Sequence, residues 1–165
     1  MSNTNPMQAR RRRARIMRML NRPMRLMLSA RFPTPAGRRL MLAHLTGRRT
    51  GRHYRQPLSY IRDGEDLLTP GGGRWTANVS DGRPVLLRIN GHDVTATPEV
   101  VRDPAEVETL LDRMAAASPG TARFVPLPRT ADGRLEAEPL REAIRYGFGI
   151  VRWHVRSQPA LVTGG

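Results

Sequence analysis

Two glycine-bearing stretches hold the residue types that could do chemistry. In LTGRRTGRHYRQPLSY, residues 45–60, Gly47 and Gly51 enclose Arg48, Arg49 and Thr50. Glycines at both ends let the backbone bend so that amide hydrogens point into one concavity. The two guanidinium groups add charged donors suited to phosphate or carboxylate oxygens. The same spacing suits a solvated hairpin turn, and the residues alone leave both readings open. In PGGGRW, residues 70–75, the glycines permit close approach of a phosphate or a planar ligand. Trp75 suits a cover over a ring system and equally a buried structural ring.

Other chemistries lack their residues. There is no G-x-x-x-x-G-K, no G-x-G-x-x-G after a strand, no H-E-x-x-H and no C-x-x-C. The absence of cysteine excludes a disulfide framework, a thiolate metal site and a thiol nucleophile, and agrees with a reducing compartment. His44, His53, His92 and His154 are dispersed without metal-pair spacing and read as core-edge or surface histidines. Ser59 and Ser80 lie in no nucleophile elbow. The acidic residues collect in turns and on one helix, where capping and solvation explain them. No residue is assigned a catalytic role, and redox chemistry would need a cofactor.

The elements that must position these stretches follow from periodicity. RLMLAHLT and YRQPLSYIRDG read as strands around the Gly47–Gly51 turn, and Asp63-Gly64 marks a turn into EDLLTP. GGGRWTANVSDG holds room for one or two helical turns. RPVLLRI and HDVTATPEVV follow as strands joined at Asn90-Gly91, a strong hairpin signal, with Pro98 expected to end or bulge the second at a sheet edge. DPAEVETLLDRMAAAS reads as a helix capped by Asp103, with Pro104 in its first turn and Val107, Leu110, Leu111 and Met114 as its apolar stripe. A shorter helix, LEAEPLREAIRYGF, ends at Gly147, and GIVRWHV is a last strand. The expectation is one α+β domain of 165 residues whose strands close into a small barrel, with helices packed on it.

All 28 basic residues are arginine, and their distribution is uneven. Residues 1–62 carry a charge of +16 and residues 63–165 a charge of −2. The basic character therefore belongs to the N-terminal third. Within it, Ile16, Met17, Leu20, Met24, Met27 and Leu28 share one side of a helix, with Arg18, Arg22 and Arg25 opposite and Pro23 a kink. Arginines interrupt every apolar run, so neither a signal peptide nor a transmembrane span is expected. Three readings of this amphipathic helix remain: packing on the barrel, contact with a membrane surface, and nucleic-acid binding.

The stretch LAHLTGRRTGRHYRQPLSYIRDGEDLL, a glycine-rich loop, WTAN, paired strands and an acid-rich helix together resemble the deazaflavin-dependent nitroreductase family of actinobacterial split-barrel proteins. The resemblance covers Leu40 to Met114, and T-G-R-[RK]-[ST]-G, a proline six residues on and W-x-x-N are its most specific parts. It implies an FMN-binding-like split β-barrel that holds coenzyme F420, a deazaflavin with a phosphate and a polyglutamate tail. By position, Arg48, Arg49 and Thr50 would meet phosphate or tail carboxylates. Tyr54, Arg55, Gln56, Pro57, Leu58 and Ser59 would line the ring and ribityl chain. Pro70, Gly71 and Gly72 would approach the ring, and Trp75 and Asn78 would close that side. This chain departs from the family in a shorter loop, GGGRW, in place of a longer one that normally carries a lysine, in Tyr54 where a basic residue is common, and in the region from Ser118 onward, where a substrate-facing tyrosine would be sought and Tyr146 is the candidate.

The resemblance implies an F420-dependent oxidoreductase passing a hydride to a quinone or nitro-aromatic acceptor. It also moves the membrane reading ahead for the N-terminal helix: a cytoplasmic protein with peripheral contact through residues 10–30 at the inner face of the cell membrane. The expected organisation is a basic segment at 1–33, a cofactor-binding barrel at 34–158 and a tail at 159–165. Two alternatives stay open. One is a split barrel that carries FMN or haem, or a cofactor without catalysis. The other is a basic nucleic-acid adaptor working through residues 10–25, disfavoured by the lack of interleaved aromatics.

Overall fold

The computed structural model describes residues 39–119, 125 and 127–156. The expected N-terminal helix, its membrane contact and the 159–165 tail lie outside the described residues. Seven strands form a single antiparallel sheet: β1 Leu40–Thr46, β2 His53–Ser59, β3 Ile61–Asp63, β4 Asp66–Pro70, β5 Val85–Ile89, β6 His92–Val101 and β7 Ile150–Val155. Three described helices accompany it: α1 Arg74–Ala77, α2 Pro104–Ala117 and α3 Ala137–Arg145.

The strand order is β2-β1-β5-β6-β7-β4-β3. The outermost strands, β2 and β3, are separated in the chain by Tyr60 alone. Laid flat, seven strands at about 4.8 Å spacing would hold their edges about 29 Å apart. Two peptide steps reach only about 7 Å, so the sheet must curl until its edges meet. Its seam is not fully laddered, since β2 packs against β4 while the hydrogen-bonded order runs the other way round. The protein is a split β-barrel.

Alternation decides what the barrel encloses. Met41, Ala43 and Leu45 of β1 face inward with Leu58, Leu87, Ile89, Ala96, Leu67, Val151 and Trp153, forming the barrel core. Leu68, Val101 and Ile150 point the other way and meet Val107, Leu110, Leu111 and Met114 of α2 and Leu140 of α3 in a second core. Burying each of these large apolar side chains is worth about 1.5–3 kcal/mol, so the α2 stripe fixes that helix to the outer face. Asp103 accepts the Glu106 amide at 2.9 Å and caps α2 as its sequence anticipates.

Two local features carry the turns. Asn90 and Gly91 both adopt positive φ, 49° and 84°, the pairing that a two-residue hairpin with the sheet's own twist demands. Between β4 and β7 the backbones nearly touch: the Gly71 amide donates to the Gly149 carbonyl at 2.7 Å, and a Cβ on Gly71 would stand 2.8 Å from that oxygen.

Pro98 corrects the sequence expectation in part. It neither ends nor bulges β6 but sits inside the strand opposite Trp153, and β6 runs on to Val101. It is tolerated because the ladder to β5 stops at Val85 opposite Ala96, so on that side no partner requires the missing N–H.

Candidate functional site

The β1–β2 turn is closed by its own backbone. The Gly51 amide donates to the Gly47 carbonyl at 2.8 Å and the Gly47 amide to the Arg52 carbonyl at 2.9 Å. Thr50 Oγ1 accepts the Arg52 amide at 3.3 Å. The amides expected to converge on an anion are thus partly engaged within the turn, and side chains supply most of the remaining donors.

Helix α1 faces this turn from across the groove. Its start is set by Thr76, whose Oγ1 accepts the Gly72 amide at 2.7 Å, and by Gly71 against Gly149. Arg48 joins turn to helix: its Nη1 donates to the Ala77 carbonyl at 3.1 Å and to Ser80 Oγ at 3.3 Å, while its backbone amide donates to Asn78 Oδ1 at 3.1 Å. Asn78 in turn donates from Nδ2 to the Tyr54 hydroxyl at 2.6 Å. Trp75 stacks on Trp153 with centroids 6.5 Å apart and planes 7° from parallel. Trp153 is wholly buried and held by a hydrogen bond from Nε1 to Thr69 Oγ1 at 3.1 Å. Trp75 therefore rests on the barrel core while bordering the groove.

The resulting groove has a volume of about 1030 Å³. Arg48, Arg49, Arg52 and Arg74 line it together with His53, Tyr54, Gln56, Trp75 and Asn78, and no Asp or Glu does among the described residues. Several arginines elsewhere are paired with acids, among them Arg88 with Asp93 at 2.6 Å, Arg152 with Glu99 and Glu106, and Arg113 with Asp63, while others among the described residues, such as Arg102 and Arg145, have no such pair. Among the described residues Arg49, Arg52 and Arg74 have no such partner. Four like charges around one concavity repel one another, and an anion relieves that repulsion. His53 borders the groove, and its ring Nδ1 lies 2.9 Å from Thr46 Oγ1 on the neighbouring strand.

Of the residues that the family resemblance marks, the groove gathers Arg48, Arg49, Thr50, Tyr54, Gln56, Trp75 and Asn78. It does not gather Arg55, Pro57 and Ser59. A strand sends alternate side chains to opposite faces, and these three share a face with His44 and Leu42 on the outside of β1. Leu58 points inward but is packed into the core at 6% exposure. Pro70, Gly71 and Gly72 are likewise absent from the groove lining, and Gly71 backs onto Gly149 and Thr76. Its lack of a side chain answers a backbone contact within the protein. Tyr146 is exposed at the end of α3 and outside the groove. Arg52 and His53 belong to the groove although only their adjacency to Gly51 hinted at it.

A second, smaller cavity of about 490 Å³ lies on the other side of the Arg48–Asn78 wall. His44 borders it, and burial, followed by the nearby Arg55, lowers its pKa, with Arg88 adding to the shift and Asp93 opposing it. Among the described residues no group of three His, Asp or Glu is placed to hold a metal ion. No described helix is long and apolar enough to cross a membrane.

No protein-family model matches the chain, and no curated protein matches it. Among solved structures the chain is similar to a Bacteroides thetaiotaomicron protein proposed for 5-nitroimidazole antibiotic resistance. That match has 14% identity and a TM-score of 0.48 over 72% of this chain and 73% of the other. A Listeria innocua protein proposed as a pyridoxamine 5'-phosphate oxidase matches at 10% identity and TM-score 0.47, over 72% and 85%. An F420 reductase matches at 12% identity and TM-score 0.42, over 78% and 91%. Likeness at this level carries no statement about ligand or activity. Fold and site together define the class: a split β-barrel with a cationic groove bordered by a stacked tryptophan.

Proposed function

We propose that the protein is an F420-dependent oxidoreductase that passes a hydride between reduced deazaflavin and a flat acceptor of the quinone or nitro-aromatic type. The observation that carries the proposal is the groove itself. Four arginines with no acid beside them meet a tryptophan anchored on the core. That donor set fits a planar ring with an anionic chain, and the volume is in the range of small-molecule sites.

When bound, the deazaflavin supplies the hydride chemistry. The chain's part is binding and orientation. Arg49, Arg52 and Arg74 would hold the anionic chain through charge-assisted hydrogen bonds. Trp75, held parallel to Trp153, gives a ring a rigid apolar surface. Arg48 and Asn78 keep turn and helix at fixed separation, which sets the width of the groove.

FMN offers the same chemistry of a flat ring and a phosphate, so it stands as the alternative cofactor. Fluorescence titration of the purified protein with F420 and with FMN separates the two. The proposal expects saturable F420 binding at micromolar concentration and weaker FMN binding. Absence of F420 binding refutes it, and a co-purified yellow flavin or a Soret band in the absorbance spectrum replaces it with the FMN or haem reading.

A further inference from the structure

We infer that the Tyr54 hydroxyl is a directed hydrogen-bond donor to an oxygen of the ligand in the groove, aimed there by Asn78 and the Arg48 backbone. The inference rests on the proposed function only for the identity of that ligand.

The direction follows from donor and acceptor inventory. A backbone N–H can only donate, so the Asn78 atom 3.1 Å from the Arg48 nitrogen must be the carbonyl oxygen. The orientation of the Asn78 amide is thereby set, with Nδ2 facing β2. Nδ2 has only hydrogens to offer, so the Tyr54 oxygen 2.6 Å away must accept. A phenol oxygen that accepts still carries its own proton, and with one in-plane position taken by Asn78 the O–H turns to the other. Among the described residues the Tyr54 hydroxyl has no second hydrogen-bond partner, and Tyr54 borders the groove. The tyrosine thus presents a donor, fixed in direction, to whatever the groove holds.

An oxygen acceptor answers that donor: the carbonyl of a flat ring, a nitro group, a phosphate or a carboxylate. Arginines around it favour the oxygen of an anion. A ligand without an oxygen at this point would leave the hydroxyl unpaired on desolvation, so Tyr54 also discriminates among ligands. The three residues are 30 and 24 positions apart in sequence, and turn, helix end and strand must all be in place to aim the group.

The test compares Tyr54→Phe, Asn78→Ala and the double variant with wild type, using F420, FMN and inorganic tripolyphosphate as probes and melting of the ligand-free proteins as a control for folding. Tyr54→Phe is expected to weaken binding of at least one probe about tenfold. Asn78→Ala, which frees the hydroxyl to rotate, should weaken the same probe several-fold. The double variant should be no worse than the poorer single, because both remove one bond. If F420 fails to bind but tripolyphosphate shows this pattern, the proposed function falls and the inference stands. Unchanged affinity in Tyr54→Phe for every probe that wild type binds, multiplicative losses in the double variant, or no binding of any probe to wild type overturns it.

Discussion

Replacing Arg48 and Arg49 one at a time separates two roles that adjacent, identical residues play. Arg48→Ala removes the hydrogen bonds to the Ala77 carbonyl at 3.1 Å and to Ser80 at 3.3 Å. At about 0.5–1.5 kcal/mol each, and in an exposed setting that favours the lower half of that range, the loss is about 1–2 kcal/mol. For a chain of this size that lowers the melting temperature by about 2–8 °C. Arg49 has no partner among the described residues, so Arg49→Ala leaves the melting temperature within about 1 °C of wild type or raises it slightly as like-charge repulsion eases. Its effect is expected in binding instead. Loss of one charge-assisted hydrogen bond, about 1.5–3 kcal/mol, weakens F420 affinity about 10- to 150-fold. Differential scanning calorimetry of the ligand-free proteins and fluorescence titration measure the two effects independently. Equal destabilisation by both substitutions, or an unchanged melting temperature in Arg48→Ala, would refute the division of labour.

Gly71→Ala should destabilise near the top of the usual range for point substitutions, by about 2–3 kcal/mol, since its Cβ would meet the Gly149 carbonyl at 2.8 Å and backbone cannot yield cheaply; urea unfolding checks this, and a neutral result would show that β4 and β7 can part there. The network on the outside of β6 and β7 sets an acid limit. Hydrogen bonding from His154, and next from Arg152, holds the Glu99 carboxyl below its ordinary pKa of 4.5, against a burial effect that raises it. A depressed carboxyl contributes stability that is complete above its unfolded pKa and fades as pH falls through the folded value. Glu99→Gln should therefore flatten the loss of stability below about pH 4.5, as followed by circular dichroism across pH 2–7; an unchanged acid limb would assign the sensitivity to other carboxyls.

Where interactions are local, they were legible in the chain. The Asn90-Gly91 turn follows from the positive φ that few other pairs adopt, and the α2 helix from a cap, a proline and an apolar stripe lying within one segment. The split barrel and the opposing glycine stretches were legible through motif resemblance, with Trp75 and Asn78 among them. Strand alternation, visible in YRQPLS itself, already forbade all six residues from sharing one pocket, yet which parity faced inward depended on Met41, Ala43 and Leu45 packing against them.

Other features required the folded chain. Pro98 sits within β6 because β5 is too short to need its amide, a fact about a neighbouring strand. Arg48 and Arg49 have the same chemistry and adjacent positions, and only the approach of α1 ties one down and leaves the other to the groove. Sequence by itself determined the inventory: an arginine-only basic set, glycines at both stretches, no cysteine, and the local turns and caps. Tertiary structure decided which arginines lack a partner, which way Tyr54 points and where the sheet closes. Tyr54 and Arg48 depend on contacts between segments 24 to 32 residues apart, and sheet closure on strand pairs as distant as Leu67 and Trp153, so both are settled by the whole core rather than by any stretch within it.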